Sequence, residues 1–241
     1  MVTGIKDLSV VLSTHNRPSE CSHSLQSLLF QTRLPSSIVI VENSQPSHKV
    51  LDNPSFTSLV GWAAQAGVDI DILSRGPLGM VGARILGEDH LTALRPNDLI
   101  LMADDDQLYP PNFILETALA LNDYDICGSN TVSMRTTEPS QTLPELKKMW
   151  SDGRLYAGGT IAYRPKYSGL WKEVSKKTRN IAEDLIWQFL ADTKGASFTP
   201  RPTCPGVTLH LDVYSPSKYG GTSTEQFLTS VIGSWEGPVE A

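Results

Sequence analysis

Short apolar runs alternate with amphipathic stretches along the first half of the chain. The run at residues 8–13 (LSVVLS) is almost entirely apolar, which is typical of a strand buried on both faces of a sheet. Residues 19–31 instead carry Leu25, Leu28 and Leu29 at the spacing of one helix face. The same alternation predicts further strands at residues 37–44, 69–73 and 98–103, and further helices within 56–66, at 79–94 and at 112–121.

The second half of the chain is less regular. Strands are predicted at residues 125–132, 156–163 and 207–211, and helices at 144–150, 182–191 and 225–232. From Pro200 onward Pro, Gly, Ser and Thr dominate the composition. Because no internal repeat or low-complexity linker divides the sequence, we expect a single domain over residues 1–241.

Strand–helix alternation predicts an α/β fold with a mostly parallel sheet covered by helices on both faces. In such sheets ligands bind beyond the carboxyl ends of the strands. Polar residues follow each of the first four predicted strands, and this placement indicates a site at one sheet edge. These residues are Thr14, His15 and Asn16 after the first strand, Glu42 and Asn43 after the second, Arg75 after the third, and Asp104, Asp105 and Asp106 after the fourth.

Composition and charge narrow the class of protein. Of the 241 residues 40% are hydrophobic, and the net charge is −6, so a nucleic-acid partner is not expected. The densest basic stretch, residues 172–179, is either a solvated helix face or a phosphate contact. Three widely spaced cysteines (Cys21, Cys127 and Cys204) indicate reduced thiols, and no apolar run has the length of a transmembrane span. We expect a cytoplasmic protein, either free or peripheral to a membrane; the oligomeric state stays open.

Three adjacent carboxylates end the fourth predicted strand. In an extended segment Asp104 and Asp106 would point to one side and Asp105 to the other. Carboxylates repel one another unless a cation compensates, and Mg²⁺ or Mn²⁺ prefers such hard oxygen ligands. The alternative is a solvated acidic turn that precedes the helix after Pro110 and Pro111.

The chain resembles family-2-type glycosyltransferases of the GT-A fold in the order of six segments between residues 8 and 210. These segments are LSVVLSTHNRP, SIVIVENS, GARILGEDHL, DLILMADDDQLYPPNFI, YAGGTIAYRPKY and AEDLIWQFLA. The resemblance implies transfer of a sugar from a nucleotide-sugar, with a UDP-sugar favoured, to the hydroxyl of a carbohydrate, glycolipid or small-molecule acceptor. It further implies a divalent metal and inversion at the anomeric carbon. Residues 1–106 would form the nucleotide-sugar half, 107–211 the acceptor half, and 212–241 a flexible loop and helix.

On the donor side, the resemblance implies that Glu42 recognises the base, where Asp is more frequent in the family. Arg84 would lie near the nucleotide or its diphosphate. Asp104 would face the ribose or share the metal, and Asp106 would bind the metal. An exposed strand-end acid and a helix-surface arginine are the structural alternatives for Glu42 and Arg84. The donor-side residues also include Thr14, Asn16, Arg17 and Asp105.

On the acceptor side, the resemblance assigns Asp184 as the catalytic base and Glu183 as its supporting or acceptor-binding neighbour. Helix capping is the alternative for both acids. Gly158 and Gly159 would allow the acceptor to approach the backbone, although a tight turn before a strand explains them too. His210 is either a third metal ligand or an ordinary strand residue.

Other side chains have two interpretations each. Trp150, Trp171 and Trp187 would either stack on a sugar or pack in the core. Lys218 lies in a segment that would either close over the diphosphate or remain a mobile tail.

Three other functions use similar residues. A nucleotidyltransferase shares the sheet and the metal, but usually has a Gly-rich loop and a basic residue after the first strand, and THNRPSE has no such loop. A metal-dependent hydrolase would leave the donor-side segments without a role. A non-catalytic sugar- or nucleotide-binding protein on the same fold is the third alternative.

Overall fold

The computed structural model describes residues 4–46, 49–76, 78–131, 156–177, 183–199 and 209–210. The strands in these ranges are β1 (Leu8–Thr14), β2 (Ser37–Glu42), β3 (Asp69–Ser74), β4 (Leu99–Asp104), β5 (Gln107–Leu108), β6 (Ile126–Thr131), β7 (Tyr156–Tyr163) and β8 (Leu209–His210). The helices are α1 (Pro18–Leu29), α2 (Pro54–Gln65), α3 (Gly79–Leu94), α4 (Phe113–Asp123), α5 (Leu170–Val174) and α6 (Glu183–Thr193), with 3₁₀ turns at Val50–Asp52 and Pro165–Tyr167.

The described strands form a six-stranded sheet in the order β3-β2-β1-β4-β7-β6. β3, β2, β1 and β4 are mutually parallel, whereas β7 runs antiparallel to both β4 and β6. β5 and β8 pair separately as a short antiparallel ribbon beside it. The predicted α/β class with a mostly parallel sheet is therefore confirmed.

Helices cover both faces of this sheet, and alternate residues of each strand point to opposite cores. Val11, Val41 and Met102 belong to the core under α3, α5 and α6. Leu12, Ile40 and Leu101 belong to the core under α1, α2 and α4. Strands buried on both faces explain why the apolar runs lack polar alternation.

Helix α3 packs close to the strands because Gly87 has no side chain. A Cβ at this position would overlap the side chain of Val11 and crowd that of Val41. The close approach brings the buried α3 residues Arg84 and Glu88 against the sheet. The Arg84 side chain therefore extends from α3 to the carboxyl edge of the sheet.

Most element boundaries differ from the predictions by one to three residues. The first helix begins at Pro18, because proline is tolerated in the first turn, and α4 continues to Asp123. Helix α5 was not predicted, since a single short turn shows no helical periodicity. The predicted helices at 144–150 and 225–232 lie outside the described residues, as do Cys204 and most of the strand at 207–211.

Asp125, just before β6, joins three segments that are distant in sequence. Its Oδ2 accepts hydrogen bonds from the N–H and O–H groups of Ser197 at 3.0 Å each and from the Tyr167 hydroxyl at 3.2 Å. Its Oδ1 lies 2.7 Å from Lys166 Nζ and 3.6 Å from Arg164 Nη1. Burial alone raises the pKa of Asp125, but Lys166 and Ser197 outweigh it and lower this pKa to about 2.

Replacement of Asp125 should weaken the fold in a pH-dependent way. In Asp125→Asn the amide nitrogen cannot accept these bonds, so we expect a loss of about 1–3 kcal/mol of unfolding free energy at pH 7. A carboxyl whose pKa is lowered by folding contributes stability above its unfolded pKa, near 4, and loses it as the pH falls towards 2. Urea titrations at pH 7, 5 and 3 should show the variant approaching the wild type in acid.

Asp123→Asn, at the exposed end of α4, is the matched control and should change stability by less than about 0.5 kcal/mol. A difference between Asp125→Asn and the wild type that stays constant from pH 7 to pH 3 would contradict the ionic role of Asp125.

Candidate functional site

Three strand ends meet at one edge of the sheet. The pairing register places Thr14 opposite Glu42 and Ser13 opposite Asp104. The ends of β1, β2 and β4 therefore bring their polar residues side by side, at the position where ligands bind in sheets of this type.

The three consecutive aspartates divide into two groups. Strand β4 ends at Asp104, and the next two residues form a turn. Arg17 Nη1 lies 2.7 Å from Asp106 Oδ2 and 3.4 Å from Asp105 Oδ1, whereas Asp104 Oδ1 lies 3.3 Å from Arg84 Nη2. The predicted extended conformation ends at Asp104, so Asp105 does not point away from Asp106: both carboxylates contact Arg17.

Arg84 lies at the centre of the second group. Its side chain is only 4% exposed, so the helix-surface interpretation is wrong. Its Nη1 lies 3.7 Å from Glu183 Oε1, and its guanidinium carbon lies 4.7 Å from the centre of the Trp171 ring. The carboxylate of Asp184 is also near enough to raise the pKa of Arg84, together with Glu183 and Asp104, although burial opposes this shift. Arg84 thus draws together acids from β4 and from the start of α6.

Among the described residues, more carboxyl groups meet at this edge than Arg17 and Arg84 could balance if all were ionised. Burial raises the pKa of Asp104 to about 8; Arg84 opposes the shift, while Asp106, Asp105 and Asp184 add to it. Burial likewise raises the pKa of Asp105 to about 6, against the Thr14 hydroxyl and Arg17. Burial and Asp184 raise the pKa of Glu183, with Arg84 in opposition. A bound cation would relieve this repulsion.

The buried side chains of Gln107, Thr160 and Tyr109 form hydrogen bonds around Asp104. Gln107 Nε2 donates to Asp104 Oδ2 at 3.1 Å, and Thr160 Oγ1 donates to Gln107 Oε1 at 3.0 Å. The Tyr109 hydroxyl accepts from the backbone N–H of Asp104 at 2.9 Å and lies 3.3 Å from Thr160 Oγ1. Gln107, Tyr109 and Thr160 were not among the predicted site residues. Their signal in the sequence is weak: Gln107 and Tyr109 are two residues apart, directly after the aspartates.

Glu42 lies inside the protein at the end of β2. It is 1% exposed, so the exposed-acid interpretation is wrong. Its Oε1 accepts a hydrogen bond from the backbone N–H of Val50 at 2.6 Å. Its Oε2 is buried and has no hydrogen-bond partner among the described residues. A carboxylate oxygen in this position can accept a hydrogen bond from a ligand N–H group.

The loop after β1 is fixed to the loop after β2. Asn16 has a positive φ of 57°; its N–H donates to Ser44 Oγ and its Oδ1 accepts from the N–H of Gln45, both at 2.8 Å. His15 Nδ1 lies 2.6 Å from the carbonyl oxygen of Asn43. These bonds position Arg17, the next residue, over Asp105 and Asp106.

Gly158 and Gly159, the predicted acceptor-side glycines, lie within β7, so the interpretation as a tight turn before a strand is wrong. They face the register shift between Gly128 and Asn130 of β6. Trp171 and Trp187 are fully buried with ring centroids 5.8 Å apart, which confirms core packing rather than sugar stacking. Trp150 and Lys218 lie outside the described residues.

His210 is placed near the aspartates by its backbone. In the β5–β8 ribbon it pairs with Gln107, the residue after Asp106. Its side chain is outside the described part, so its role as a ligand stays a prediction. Within the described ranges no group of three or more His, Cys, Asp and Glu side chains is arranged to hold a metal ion.

Among the helices of the described ranges, none combines the length and apolarity needed to cross a bilayer.

Comparison with known sequences gives a partial match. No protein-family model matches the chain. Over 115 residues the chain is 34% identical to the galactofuranosyltransferase GlfT1 of Mycobacterium tuberculosis (strain H37Rv), and this match covers 46% of the chain and 34% of the relative. The matched part thus spans about a third of the length of this curated relative.

Comparison with solved structures shows the fold. The mannosyltransferase PcManGT from Pyrobaculum calidifontis, in complex with GDP-Man and Mn²⁺, superposes with a TM-score of 0.53 at 14% identity, over 84% of this chain and 56% of that chain. TarS of S. aureus in complex with UDP superposes with a TM-score of 0.53 at 16% identity, over 82% of this chain and 59% of that chain. A 4-diphosphocytidyl-2C-methyl-D-erythritol synthase from Anaerococcus prevotii superposes with a TM-score of 0.55 at 12% identity, over 81% of this chain and 88% of that chain. The chain has the GT-A-type fold, and its resemblance to these glycosyltransferases is confirmed.

Removal of the Arg84 charge should leave Asp104 and Glu183 buried without a cationic partner. We expect Arg84→Met to lose about 2–4 kcal/mol of unfolding free energy at pH 9. The folded-state pKa of Asp104 is already about 8 in the wild type and would lie higher without Arg84, so the loss should be small at pH 6 and should grow as the pH rises through 8. Denaturant titrations at pH 6, 8 and 9.5 measure this trend.

Arg95→Met is the matched control, since Arg95 forms an exposed pair with Asp69 and should contribute less than about 1 kcal/mol. If Arg84→Met were destabilised equally at every pH, lost packing rather than lost charge would explain it.

Proposed function

We propose that the chain is a glycosyltransferase that moves a sugar from a nucleotide-sugar to an acceptor hydroxyl with a divalent metal. The observation that carries this proposal is the convergence of Asp104, Glu183 and Asp184 on Arg84 at the carboxyl edge of a GT-A sheet. The names of GlfT1 and PcManGT and the bound UDP of TarS support nucleotide-sugar chemistry, with a UDP-sugar favoured.

The carboxylate oxygens of Asp104 and Asp106 suit Mg²⁺ or Mn²⁺ by their chemistry, with water and phosphate oxygens to complete the coordination. Asp106 would hold the ion, with Asp104 and His210 as further ligands, because carboxylate oxygens are the ligands that these hard cations prefer. The raised pKa values of Asp104 and Asp105 support an affinity for added positive charge. When bound, the metal neutralises the charge that develops on the diphosphate leaving group. Because Arg17 already contacts Asp106 at 2.7 Å, the metal and Arg17 compete for this carboxylate.

The donor-side residues have separate tasks in this proposal. The buried Oε2 of Glu42 accepts from a ring N–H of the base. Arg17, released from Asp106, pairs with phosphate oxygens, which guanidinium groups bind in a forked geometry. Arg84 remains buried and orients Asp104 towards the ribose or the metal. Thr14, Asn16 and Asp105 hold the loop that carries Arg17.

Catalysis requires a base for the acceptor hydroxyl. Asp184 takes this proton as the acceptor oxygen attacks the anomeric carbon in line with the departing diphosphate, which inverts the configuration. Glu183, 3.7 Å from Arg84, is the supporting acid. Gly158 and Gly159 allow the acceptor to approach the backbone of β7.

A nucleotidyltransferase is the second candidate, because the diphosphocytidyl-methylerythritol synthase shares the fold over most of its own length. The product distinguishes the two reactions: sugar transfer releases a nucleoside diphosphate, whereas nucleotidyl transfer from a nucleoside triphosphate releases pyrophosphate. A screen of UDP-, GDP- and dTDP-sugars with Mn²⁺ by thermal shift should first identify a binding donor. Release of the nucleoside diphosphate from that donor is then measured with and without the metal.

Release of a nucleoside diphosphate only when the metal is present is the expected result. Binding without turnover would assign the chain to the non-catalytic binding proteins. Pyrophosphate release from a nucleoside triphosphate and a sugar phosphate would assign it to the nucleotidyltransferases.

Asp106→Asn should abolish the metal-dependent part of nucleotide binding. The amide keeps the shape of the side chain but lacks the charge that holds a divalent ion, so we expect Mn²⁺ to tighten UDP binding in the wild type and not in the variant. Isothermal titration with UDP, with and without Mn²⁺, measures the difference. Asp7→Asn, at the opposite edge of the sheet before β1, is the control. Equal enhancement by Mn²⁺ in all three proteins would rule out Asp106 as a ligand.

Asp184→Asn should separate chemistry from binding. Loss of a general base lowers kcat by roughly 10²–10⁴-fold, while the Kd for UDP should stay within about twofold of the wild type. Steady-state transfer assays combined with UDP titration test both parts. Asp192→Asn, in the last turn of the same helix, is the matched control. Unchanged turnover in Asp184→Asn would reject its role as the base.

A further inference from the structure

A buried network of hydrogen bonds next to Arg84 has no role in the proposed mechanism. Glu88, one turn after Arg84 on α3, accepts a hydrogen bond at Oε1 from the Tyr163 hydroxyl at 2.5 Å. Its Oε2 accepts from the backbone N–H of Gly169 at 2.7 Å. The Tyr163 hydroxyl in turn accepts from Trp171 Nε1–H at 3.2 Å. This network thus links α3, β7 and the start of α5.

This network is fully inside the protein and its polar atoms are paired. Glu88 is 1% exposed, and Tyr163 and Trp171 are fully buried. Burial raises the pKa of Glu88, while the bonds from Tyr163 and Gly169 oppose the shift. Burial of a carboxyl group is costly unless it is hydrogen-bonded, and a satisfied buried network fixes its members in one arrangement.

The end of the network lies directly against the candidate site. The guanidinium carbon of Arg84 lies over the Trp171 ring, 4.7 Å from its centre, while the Arg84 nitrogens lie 3.3 Å from Asp104 and 3.7 Å from Glu183. Trp187 packs on the Tyr163 ring with centroids 4.6 Å apart, which limits the movement of that ring. The orientation of the Trp171 ring therefore depends on the Tyr163 hydroxyl, and the hydroxyl depends on Glu88.

We propose that Glu88, Tyr163 and Trp171 are positioning residues for Arg84. They fix the plane on which the guanidinium lies, so that its nitrogens point to Asp104 and Glu183. A flexible arginine would otherwise lose side-chain entropy on forming these pairs. The effect on ligand binding rests on the proposed function, whereas the coupling between the network and Arg84 does not.

A double-mutant cycle between Tyr163→Phe and Arg84→Met tests this coupling. Tyr163→Phe removes a single oxygen atom and should weaken UDP binding in the presence of Mn²⁺ on the order of tenfold. In the Arg84→Met background the same change should alter the Kd by less than about twofold, because Arg84 is no longer there to be positioned. Isothermal titration of the wild type, both single variants and the double variant gives the four values.

Tyr167→Phe is the matched control. Tyr167 is also buried and its hydroxyl also donates to a carboxylate, that of Asp125, at 3.2 Å. Tyr167→Phe should lower the unfolding equilibrium stability about as much as Tyr163→Phe does, without changing the Kd for UDP. If Tyr163→Phe does not fold, Glu88→Gln replaces it in the cycle, since the amide keeps the shape but cannot accept from both Tyr163 and Gly169.

The outcomes separate the two proposals. If wild-type protein binds no nucleotide, the proposed function fails, and the cycle is read from unfolding equilibrium constants, where coupling on the order of tenfold supports positioning. Additive effects of Tyr163→Phe and Arg84→Met, on binding or on unfolding, overturn the positioning proposal. An unchanged Kd in Tyr163→Phe, with wild-type protein that does bind UDP, overturns it as well.

Discussion

The candidate site depends on a charge constraint at one edge of the sheet. Among the described residues, five carboxylates (Asp104, Asp105, Asp106, Glu183 and Asp184) lie near two guanidinium groups, those of Arg17 and Arg84. Burial raises the pKa values of Asp104 and Asp105, and repulsion from the neighbouring acids adds to both shifts. An isolated buried arginine would be costly too, so each charge is tolerable only because the others are present. The fold must therefore assemble β4, α3 and α6 together.

The two arginines are held in different ways, and this difference suits different tasks. Arg84 extends from α3, which Gly87 allows to lie close to β1, and it is enclosed by Trp171 and two acids. Arg17 follows β1 in a loop, and its side chain is 34% exposed. Rigid elements maintain geometry better than loops do, whereas a loop side chain can exchange partners at small cost. Arg84 is thus suited to fixing Asp104, and Arg17 to moving between carboxylate and phosphate.

The sequence predicts the parts of the fold that depend on local pattern. Apolar runs identify β1 to β4, and the polar residues after them identify the edge where Thr14, Glu42 and Asp104 meet. It does not predict that Asp105 and Asp106 turn towards Arg17, because three identical residues carry no signal for where a strand ends. Nor does it predict the burial of Arg84, since Trp171 and Glu183 are distant along the chain and only tertiary packing brings them together. Nothing in the sequence distinguishes Glu88 from other acids on an amphipathic helix, because its hydrogen bond from Tyr163 forms only in the folded structure.

In the proposed mechanism, the acids at the start of α6 distinguish sugar transfer from the other chemistry this fold supports. A sheet edge with a metal-binding aspartate serves both nucleotidyl and glycosyl transfer, because both reactions need a neutralised polyphosphate. Attack by an acceptor hydroxyl on an anomeric carbon further needs a base that does not belong to the phosphate-binding side. Glu183 and Asp184 come from a different segment than the aspartates of β4, yet Arg84 ties them to the same site. In a binding protein the two acids of α6 beside the three aspartates would lower the stability of the fold by their repulsion, with no base function to offset it.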